Sequence, residues 1–349
     1  MAEVGDPTPE GVTLDTSVAH PARVYDYWLG GKDNFAADRE AAEQVIAANP
    51  TVLHGVRANR AFLGRAVHYL AAEAGIRQFL DLGTGLPTAQ NTHQVAQEIA
   101  PDSRIVYVDN DPIVLAYARA LLTSVPEGAT AYVPSDIRDT EKVLAGAAET
   151  LDLSRPVAVM ALMVLQYIPD GDDPWGIVGH VLESLPPGSY LTVSDTVRDI
   201  DTERVTEGTA RLNQRMGPTQ LTLRTRPDFE RFFDGLEMVE PGVVPLPEWH
   251  GPGSEHPIPC YAGMGRKPSR PAQSPPTSAA RRRACNRRGA AAGRRCPAGD
   301  EGPGCGACCS GRPGRCSAPC AGRSGSPNSE DGQANSSPAI RRLSPGRRN

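Results

Sequence analysis

The stretch FLDLGTGLP, residues 79–87, combines a short apolar run with a turn that contains two glycines. An apolar run of this length predicts a buried strand, and Pro87 is suited to the first turn of a following helix. Gly83 and Gly85 tolerate a positive φ and let a ligand approach the backbone of the turn. Because ligands bind at this edge of an open parallel sheet, the stretch predicts a ligand site after the first strand.

Two features of the same stretch indicate which ligand binds there. The dinucleotide-binding fingerprint requires a third glycine at residue 88, where this chain has Thr88. Asp81 precedes the first glycine, and its carboxylate would attract an ammonium group and repel a pyrophosphate. With Thr84 inside the turn, these residues predict a site for S-adenosyl-L-methionine rather than for a nicotinamide dinucleotide.

Acidic residues also follow the next two predicted strands. Asp109, in VYVDNDP, ends the second strand, where an acidic side chain accepts hydrogen bonds from ribose hydroxyls. Asn110 beside it is placed to flank the adenine. After the third strand, Asp136 is placed to accept from the adenine amine while Ile137 packs on the ring. Each acid taken alone is equally well explained as a helix cap, but three acids with two glycines favour one ligand crevice.

Short apolar runs alternate with helix-like segments from residue 75 onward. Strands are predicted at residues 76–82, 104–109, 129–134, 156–162 and 189–195, with helices at residues 87–100, 112–122, 138–151 and 175–185 between them. This alternation is typical of an α/β protein whose parallel sheet has helices on both faces. Residues 36–48 and 57–74 predict two helices ahead of the sheet, and residues 227–233 predict a further helix after it. The apolar runs at 236–246 and 259–267 predict an antiparallel pair at the edge of the sheet.

The last 82 residues differ in composition from the rest of the chain. They contain no Phe, Trp, Tyr or Lys and carry 15 Arg against 4 acidic residues, whereas the preceding residues carry 21 basic and 37 acidic ones. Such a segment cannot bury enough apolar surface to offset its ordering entropy. We therefore expect a disordered N-terminus at residues 1–16, a helical lid at 17–74, a cofactor-binding core at 75–267 and a disordered low-complexity tail at 268–349.

Charge and composition also exclude several classes of function. An acidic body argues against a nucleic-acid partner, because a phosphate-binding surface needs many cations. The chain has neither a signal-peptide pattern nor an apolar run near the ~18–20 residues that span a bilayer, so we expect a cytoplasmic protein with no membrane partner. His250 and His256 match no usual metal-site spacing, so no metal is expected and a surface loop is favoured.

The aromatic stretch ARVYDYWLGGKDNF, residues 22–35, is too irregular to predict a regular helix or strand. Segments ahead of the first strand of such a sheet pass over its ligand-binding edge. We therefore expect Tyr25, Tyr27, Trp28 and Asn34 to cover the cofactor, with the glycine pair at residues 30–31 as a bend or hinge. The alternative is that these aromatics pack the N-terminal helices onto the sheet.

Several motifs, taken in order, carry a resemblance to a known family. HPARVYDYWLGGKDNFAADR, RANRAFLGRAV, FLDLGTGLPT, VYVDNDP and LQYIPD resemble the S-adenosyl methyltransferase family of actinobacteria. The resemblance implies a Rossmann-like class I methyltransferase fold with a mostly parallel seven-stranded sheet, a reversed last strand and S-adenosyl-L-methionine as cofactor. It also implies that the segment beginning near Leu162 lies beside the transferred methyl group. Family members often carry His there, where this chain has Gln166 and Tyr167, so the resemblance gives no catalytic residue.

The residues and the resemblance together predict an enzyme, a methyltransferase that uses S-adenosyl-L-methionine and an unidentified small-molecule acceptor. The alternative is a non-catalytic protein that binds the cofactor as a sensor or accessory subunit, which the missing histidine slightly favours. A nicotinamide-dependent oxidoreductase is disfavoured by Asp81 and Thr88.

Overall fold

The computed structural model describes residues 15–87, 90–114 and 124–269 of the chain. All of these residues belong to one compact unit. The N-terminus and tail that the sequence predicts to be disordered lie almost wholly outside the described residues, as do Thr88 and most of the helix predicted at residues 112–122. Among the described helices, none is both long and apolar enough to cross a membrane.

Eight strands of the described residues form one sheet. They are β1 Gln78–Leu82, β2 Arg104–Asp109, β3 Ala129–Pro134, β4 Ala158–Leu162, β5 Tyr190–Thr196, β6 Glu237–Met238, β7 Val244–Pro245 and β8 Cys260–Arg266. The strand order is β3-β2-β1-β4-β5-β8-β6, and β7 also pairs with β8. Strands β1 to β5 run parallel and β8 is antiparallel to β5. The α/β class and the reversed last strand are confirmed.

The late part of the sheet differs in detail from the prediction. Residues 236–246 form two strands of two residues each rather than one strand. Pro241 has no N–H to donate to a neighbouring strand, and Gly242 turns the chain with a φ of +82°. The pairing of this segment with β8 is antiparallel as predicted. However, β8 lies inside the sheet, between β5 and β6, and six of its seven residues are buried.

Eight α-helices with bounds inside the described residues surround this sheet. They are α1 Pro21–Trp28, α2 Ala36–Ala48, α3 Val52–His68, α4 Thr92–Ile99, α5 Thr140–Ala148, α6 Pro174–Glu183, α7 Thr202–Asn213 and α8 Arg226–Glu230. A π-helical turn, Tyr69–Glu73, extends α3. Two helices, α1 and α7, were not predicted. The prediction for Pro87 was wrong, because α4 begins only at Thr92 and Pro87 lies in the preceding loop.

Alternate residues of the central strands pack into two separate cores. In β1, Leu80 and Leu82 face a cluster completed by side chains of α5, α6 and α8. Phe79 faces the opposite cluster, which α3 and α4 complete. A third cluster joins α1, α2 and α7. Because all three N-terminal helices are tied into these cores, the N-terminal segment is an integral part of the unit at the ligand-binding edge of the sheet.

Candidate functional site

The turn after β1 needs glycine at two positions. Gly83 and Gly85 have φ angles of +68° and +66°. The N–H of Gly83 donates to the Val108 carbonyl at 2.9 Å, which holds the turn against β2. A Cβ on Gly83 would overlap the side chain of Val164, whereas a Cβ on Gly85 would meet no atom within 4 Å. Gly83 therefore allows close packing, and Gly85 presents bare backbone to open space.

Asp109, at the end of β2, supports this turn from the side. Its carboxylate accepts hydrogen bonds from the backbone N–H groups of Gly85, at 2.8 Å, and Asp111, at 2.9 Å. Burial raises the pKa of Asp109, and these two hydrogen bonds oppose the shift. Since each carboxylate oxygen can accept more than one hydrogen bond, Asp109 can hold the turn and still accept from a ligand hydroxyl.

Asp81 lies one strand away and is also buried. Its Oδ2 accepts a hydrogen bond from the Thr92 hydroxyl at 2.6 Å. Burial raises the pKa of Asp81 to about 6, and the charge of Arg60 acts in the opposite direction. A cation beside such a buried carboxylate stabilises its ionised form, because the charge of the cation compensates the lost solvation.

Asp136, after β3, is the most accessible of the three acids, with 31% of its side chain exposed. Arg138 donates to both of its carboxylate oxygens, from Nε at 2.9 Å and from Nη2 at 2.6 Å. The hydrogen bonds from Arg138 lower the pKa of Asp136, and the Asn110 side chain contributes in the same direction. Asp136 is therefore ionised, with Arg138 bridging it to Asp172.

These groups surround one cavity of about 400 Å³. Ten of the cofactor-binding residues predicted from the sequence line it, namely Tyr25, Asp81, Gly83, Thr84, Gly85, Asp109, Asn110, Asp136, Ile137 and Leu162. The volume is in the range of cofactor sites. The chemistry also fits S-adenosyl-L-methionine, since the cavity offers acids for an ammonium and for hydroxyls, bare glycine backbone and an apolar surface at Ile137.

The other three predicted residues do not line this cavity. Trp28 packs against α2, where its Nε1 donates to the Ala42 carbonyl at 3.3 Å. The Tyr27 hydroxyl donates to Glu43, also on α2. Asn34 donates to the Asp26 carboxylate at 2.8 Å. The structure therefore does not bring Tyr27, Trp28 and Asn34 to the cavity, because Tyr27 and Trp28 contact α2 and Asn34 is hydrogen-bonded to Asp26.

The glycine pair at residues 30–31 is a fixed turn rather than a hinge in this structure. The Asp26 carboxylate accepts from the Asp33 N–H at 2.9 Å as well as from Asn34. A Cβ on Gly31 would overlap this carboxylate. Asp26 therefore ties the chain after α1 back onto the helix, which explains the irregular sequence of the stretch.

A buried charged group connects α1 to the cavity edge. The Arg23 guanidinium lies 3.6 Å from a carboxylate oxygen of Asp38, on α2, and 3.6 Å from one of Asp111, after β2. His20 Nδ1 lies 3.0 Å from the same Asp111 oxygen. Burial would raise the pKa of Asp111, but His20 and Arg23 outweigh it and lower the pKa. These contacts hold α1 over the end of β2.

The segment that follows β4, residues 163–170, forms the other side of the cavity, and we call it the post-β4 segment. Arg224, which is buried, donates to the carbonyls of Leu165 at 2.9 Å and Ile168 at 2.6 Å. It also donates to Asp170 at 3.0 Å. Asp195 lies below, 3.8 Å from Arg224, and burial raises its pKa to about 7. Arg224 thus ties three residues of the post-β4 segment together.

Sequence reasoning missed several residues of the cavity wall. His20, Asn59, Arg60, Arg138 and Thr219 all line it. Arg60 lies on α3 and donates to the Gln90 carbonyl at 2.9 Å. The motif RANRAFLGRAV contained a usable signal, because Asn59 and Arg60 interrupt the apolar face formed by Phe62 and Leu63. No local pattern marks Thr219, which reaches the cavity only through the packing of α7.

Comparison with known proteins places this site in a family. A family model described as S-adenosyl methyltransferase matches residues 7–268, about three quarters of the chain. The chain belongs to the S-adenosyl methyltransferase family. Its cofactor is therefore S-adenosyl-L-methionine, as the three acids and the glycine turn had indicated.

Two solved structures are similar to this S-adenosyl methyltransferase. A DUF574 family protein from Streptomyces avermitilis is 45% identical, with 73% of this chain and 99% of that chain covered and a TM-score of 0.70. A candidate methyltransferase from Thermobifida fusca is 41% identical, with 73% and 97% covered and a TM-score of 0.67. A comparison with curated proteins found no match. The family and the cofactor are thus established, and the methyl acceptor is a separate question.

Proposed function

We propose that this protein is an enzyme that transfers a methyl group from S-adenosyl-L-methionine to a small-molecule acceptor. The observation that carries the proposal is the convergence of Asp81, Asp109 and Asp136 on one cavity, each from the carboxyl end of a different parallel strand. A helix cap explains one such acid but does not explain why all three face the same space together with Gly85.

Asp81 and Arg60 form the end of the cavity suited to an amino-acid group. The buried Asp81 carboxylate would bind the ammonium of the cofactor, and Arg60, which lines the same cavity, would bind its carboxylate. A guanidinium binds a carboxylate through parallel hydrogen bonds and fixes its orientation. The pair would therefore set the direction in which the methionine part of the cofactor lies.

Asp109 and Asp136 form the end suited to an adenosine. Asp109 would accept from the ribose hydroxyls while it continues to hold the N–H of Gly85. Asp136 would accept from the adenine amine, with Asn110 beside it and Ile137 against the ring. Arg138 keeps Asp136 ionised and in place, which supports a role as a hydrogen-bond acceptor.

The side chains of this site would act by positioning the cofactor and the acceptor relative to each other. When bound, the cofactor would supply a methyl group on a sulfonium: the acceptor atom would gain the methyl, the sulfur would keep the bonding electron pair, and the acceptor proton would leave to solvent. Holding donor and acceptor in contact supplies a large part of the barrier reduction for such a step. Tyr25 and the post-β4 segment line the cavity and would limit the access of bulk water to the methyl group.

The acceptor is proposed to be a small molecule because α1 covers the cavity edge. His20 and Tyr25 of this region line the cavity, and Arg23 fixes the helix to Asp111. A folded protein or a duplex could not reach past a helix held this way without displacing it.

The test combines binding and turnover. Calorimetry with S-adenosylhomocysteine should show binding to the wild type and a loss of about tenfold or more in Asp109→Asn. Asn is chosen because it keeps one oxygen for the N–H of Gly85. Asp102→Asn is the matched control, since Asp102 is exposed and pairs with Arg77 away from the cavity.

Incubation with S-adenosyl-L-methionine and fractionated metabolites should then produce S-adenosylhomocysteine in at least one fraction. Tight binding with no turnover in any fraction would favour a cofactor-binding sensor instead. Unchanged affinity in Asp109→Asn would contradict the assignment of the site.

A further inference from the structure

A second, smaller cavity of about 70 Å³ adjoins the cofactor cavity. Tyr25, Met163 and Tyr167 line both spaces, so these three side chains form the partition between them. Met163 follows β4 directly and has a φ of +56°, with its N–H bound to the Ser194 carbonyl. We call this second space the inner chamber.

The wall of the inner chamber is uncharged. Apolar side chains of four elements face it, including Trp28 of α1, Val45 of α2, Val56 of α3 and Leu212 of α7. No Asp, Glu, Lys, Arg or His belongs to its lining among the described residues. Burial raises the pKa of Cys260 to about 12, so this lining residue is a neutral thiol at physiological pH.

Two of the polar side chains of the wall, Gln166 and Tyr25, are already hydrogen-bonded within the protein. Gln166 Oε1 accepts from the Thr196 N–H at 2.7 Å. The Tyr25 hydroxyl donates to the Val56 carbonyl at 3.1 Å and accepts from Asn59 Nδ2 at 3.0 Å. A charged ligand would therefore lose its hydration here without gaining a counter-charge, which is a large penalty.

We propose that the inner chamber holds the body of the methyl acceptor and that the acceptor is an uncharged, mainly apolar molecule with a single ring or an equivalent aliphatic group. This proposal rests on the proposed methyltransferase function. It deepens that function by giving the class of substrate, since the cofactor cavity by itself sets no requirement on the acceptor.

Three observations carry the proposal. The chamber adjoins the cofactor cavity at the end of β4, next to Met163 and Tyr167. A space of this volume holds several water-sized groups, which is enough for one ring and too little for a fused polycyclic system. The lining is uncharged and mainly apolar, so the burial of an apolar ring against it is favourable.

Gly208 allows the chamber to be filled from one side. It lies on α7, lines the chamber, and a Cβ there would sit 3.5 Å from Asn49 and Val45, an ordinary contact distance. In Gly208→Leu the added side chain would lie beside Asn49 and Val45, which also line the chamber, and would reduce its volume. Ala210→Leu is the matched control, because it places the same side chain on the exposed face of the same helix.

The probes are benzyl alcohol and benzoate, which are similar in size and differ in charge. Calorimetry on the full chain, with and without S-adenosylhomocysteine, should give benzyl alcohol an affinity about tenfold or more above that of benzoate. Gly208→Leu should weaken benzyl alcohol binding by about tenfold, while Ala210→Leu stays within about twofold. S-adenosylhomocysteine binding should be retained in both variants, which reports on their fold.

Equal or tighter binding of benzoate, or unchanged benzyl alcohol binding in Gly208→Leu, would overturn the proposal. If Gly208→Leu does not fold, Gly208→Ala replaces it, with an expected weakening of about threefold and no change as the contrary result. Failure of the proposed function is distinguishable, because S-adenosylhomocysteine would then bind the wild type while no metabolite fraction gave turnover, and the probes would still report on the chamber.

Discussion

The Thr92 hydroxyl and the Asp81 carboxylate form a hydrogen bond of 2.6 Å between the start of α4 and the end of β1. This bond is the only one that the described residues show for Asp81 Oδ2, and burial raises the pKa of the acid to about 6. The group that would bind the cofactor ammonium therefore titrates close to neutral pH.

The affinity for S-adenosylhomocysteine should consequently fall as the pH drops through about 6. The ammonium favours the ionised form of Asp81, so below its pKa the ligand must displace a proton, at a cost of up to about tenfold in affinity per pH unit. Calorimetry at pH values from 8 to 5 measures the affinity for S-adenosylhomocysteine. Asp81→Asn should bind more weakly at pH 8 and show a smaller pH dependence; constant wild-type affinity across the range would contradict the prediction.

Arg23→Met should destabilise the protein by about 3–5 kcal/mol. The substitution keeps the approximate volume of the side chain but removes the guanidinium from the buried carboxylates of Asp38 and Asp111, of which Asp111 keeps its contact with His20. Urea denaturation monitored by circular dichroism gives the free energy of unfolding. Arg57→Met serves as control, since Arg57 is exposed on α3 and its replacement should change stability by less than about 0.5 kcal/mol.

Asp195 should make the protein less stable as the pH rises from about 4 to 7. The folded protein holds the Asp195 proton up to about pH 7, because burial raises the pKa, whereas the unfolded chain releases it near pH 4. More protons are bound in the folded state across this window, so raising the pH favours unfolding.

Asp195→Asn removes this contribution, and its stability should change less between pH 5 and pH 8 than that of the wild type. Urea denaturation at pH 5 and at pH 8 gives the free energy of unfolding of each protein, and the change between the two pH values is compared. Asp234→Asn, at an exposed position, should follow the wild type. An identical pH dependence in Asp195→Asn and the wild type would mean that Asp195 is ionised in the folded state at pH 5.

Gly31→Ala should lower the free energy of unfolding by about 1–3 kcal/mol, because the added Cβ would displace the Asp26 carboxylate from Asp33 and Asn34. Gly64→Ala should instead stabilise the protein by about 0.5–1 kcal/mol, since Gly64 lies inside α3 with no atom within 4 Å of the new Cβ. Thermal unfolding of the two variants measures the contrast. Equal effects would show that the turn after α1 does not depend on Asp26.

A chain that ends at Lys267 should have a midpoint temperature of thermal unfolding within about 3 °C of that of the full chain. Lys267 follows β8 directly, and its Nζ donates to the carbonyls of Leu182 at 2.7 Å and Leu185 at 2.6 Å, at the end of α6. Differential scanning calorimetry compares the two lengths. A much larger loss would mean that residues beyond Lys267 contribute to the folded unit.

The central sheet was predictable because each of its first five strands is an apolar run with a turn after it. The predicted bounds of β2 and β3 match the structure, and the acids after β1 to β3 follow from where parallel strands end. The helix α1 was not predictable in the same way. Its stability comes from Val24 and Trp28 packing against α2 and α7, a tertiary contribution that no local pattern reveals.

The buried ion pairs of Arg23 could not be predicted from the sequence either. Asp38 and Asp111 are separated in sequence by the helices α3 and α4 and the strands β1 and β2, and only the folded chain brings both to Arg23. The sequence shows three ordinary charged residues with no feature that separates them from exposed ones. Tyr27 and Trp28 were misplaced for a related reason, since an aromatic residue fits a ligand cover and a core equally well.

The position of β8 between β5 and β6 has a consequence for how the chain assembles during synthesis. Domains emerge from the ribosome with the N-terminal end first. The strands that carry the three acids, β1 to β3, are complete by Pro134, long before Cys260 is made. Cys260 begins β8 and also lines the inner chamber. The nascent chain can therefore form its nucleotide-binding half early, while the wall proposed for the acceptor closes only when the last strand inserts.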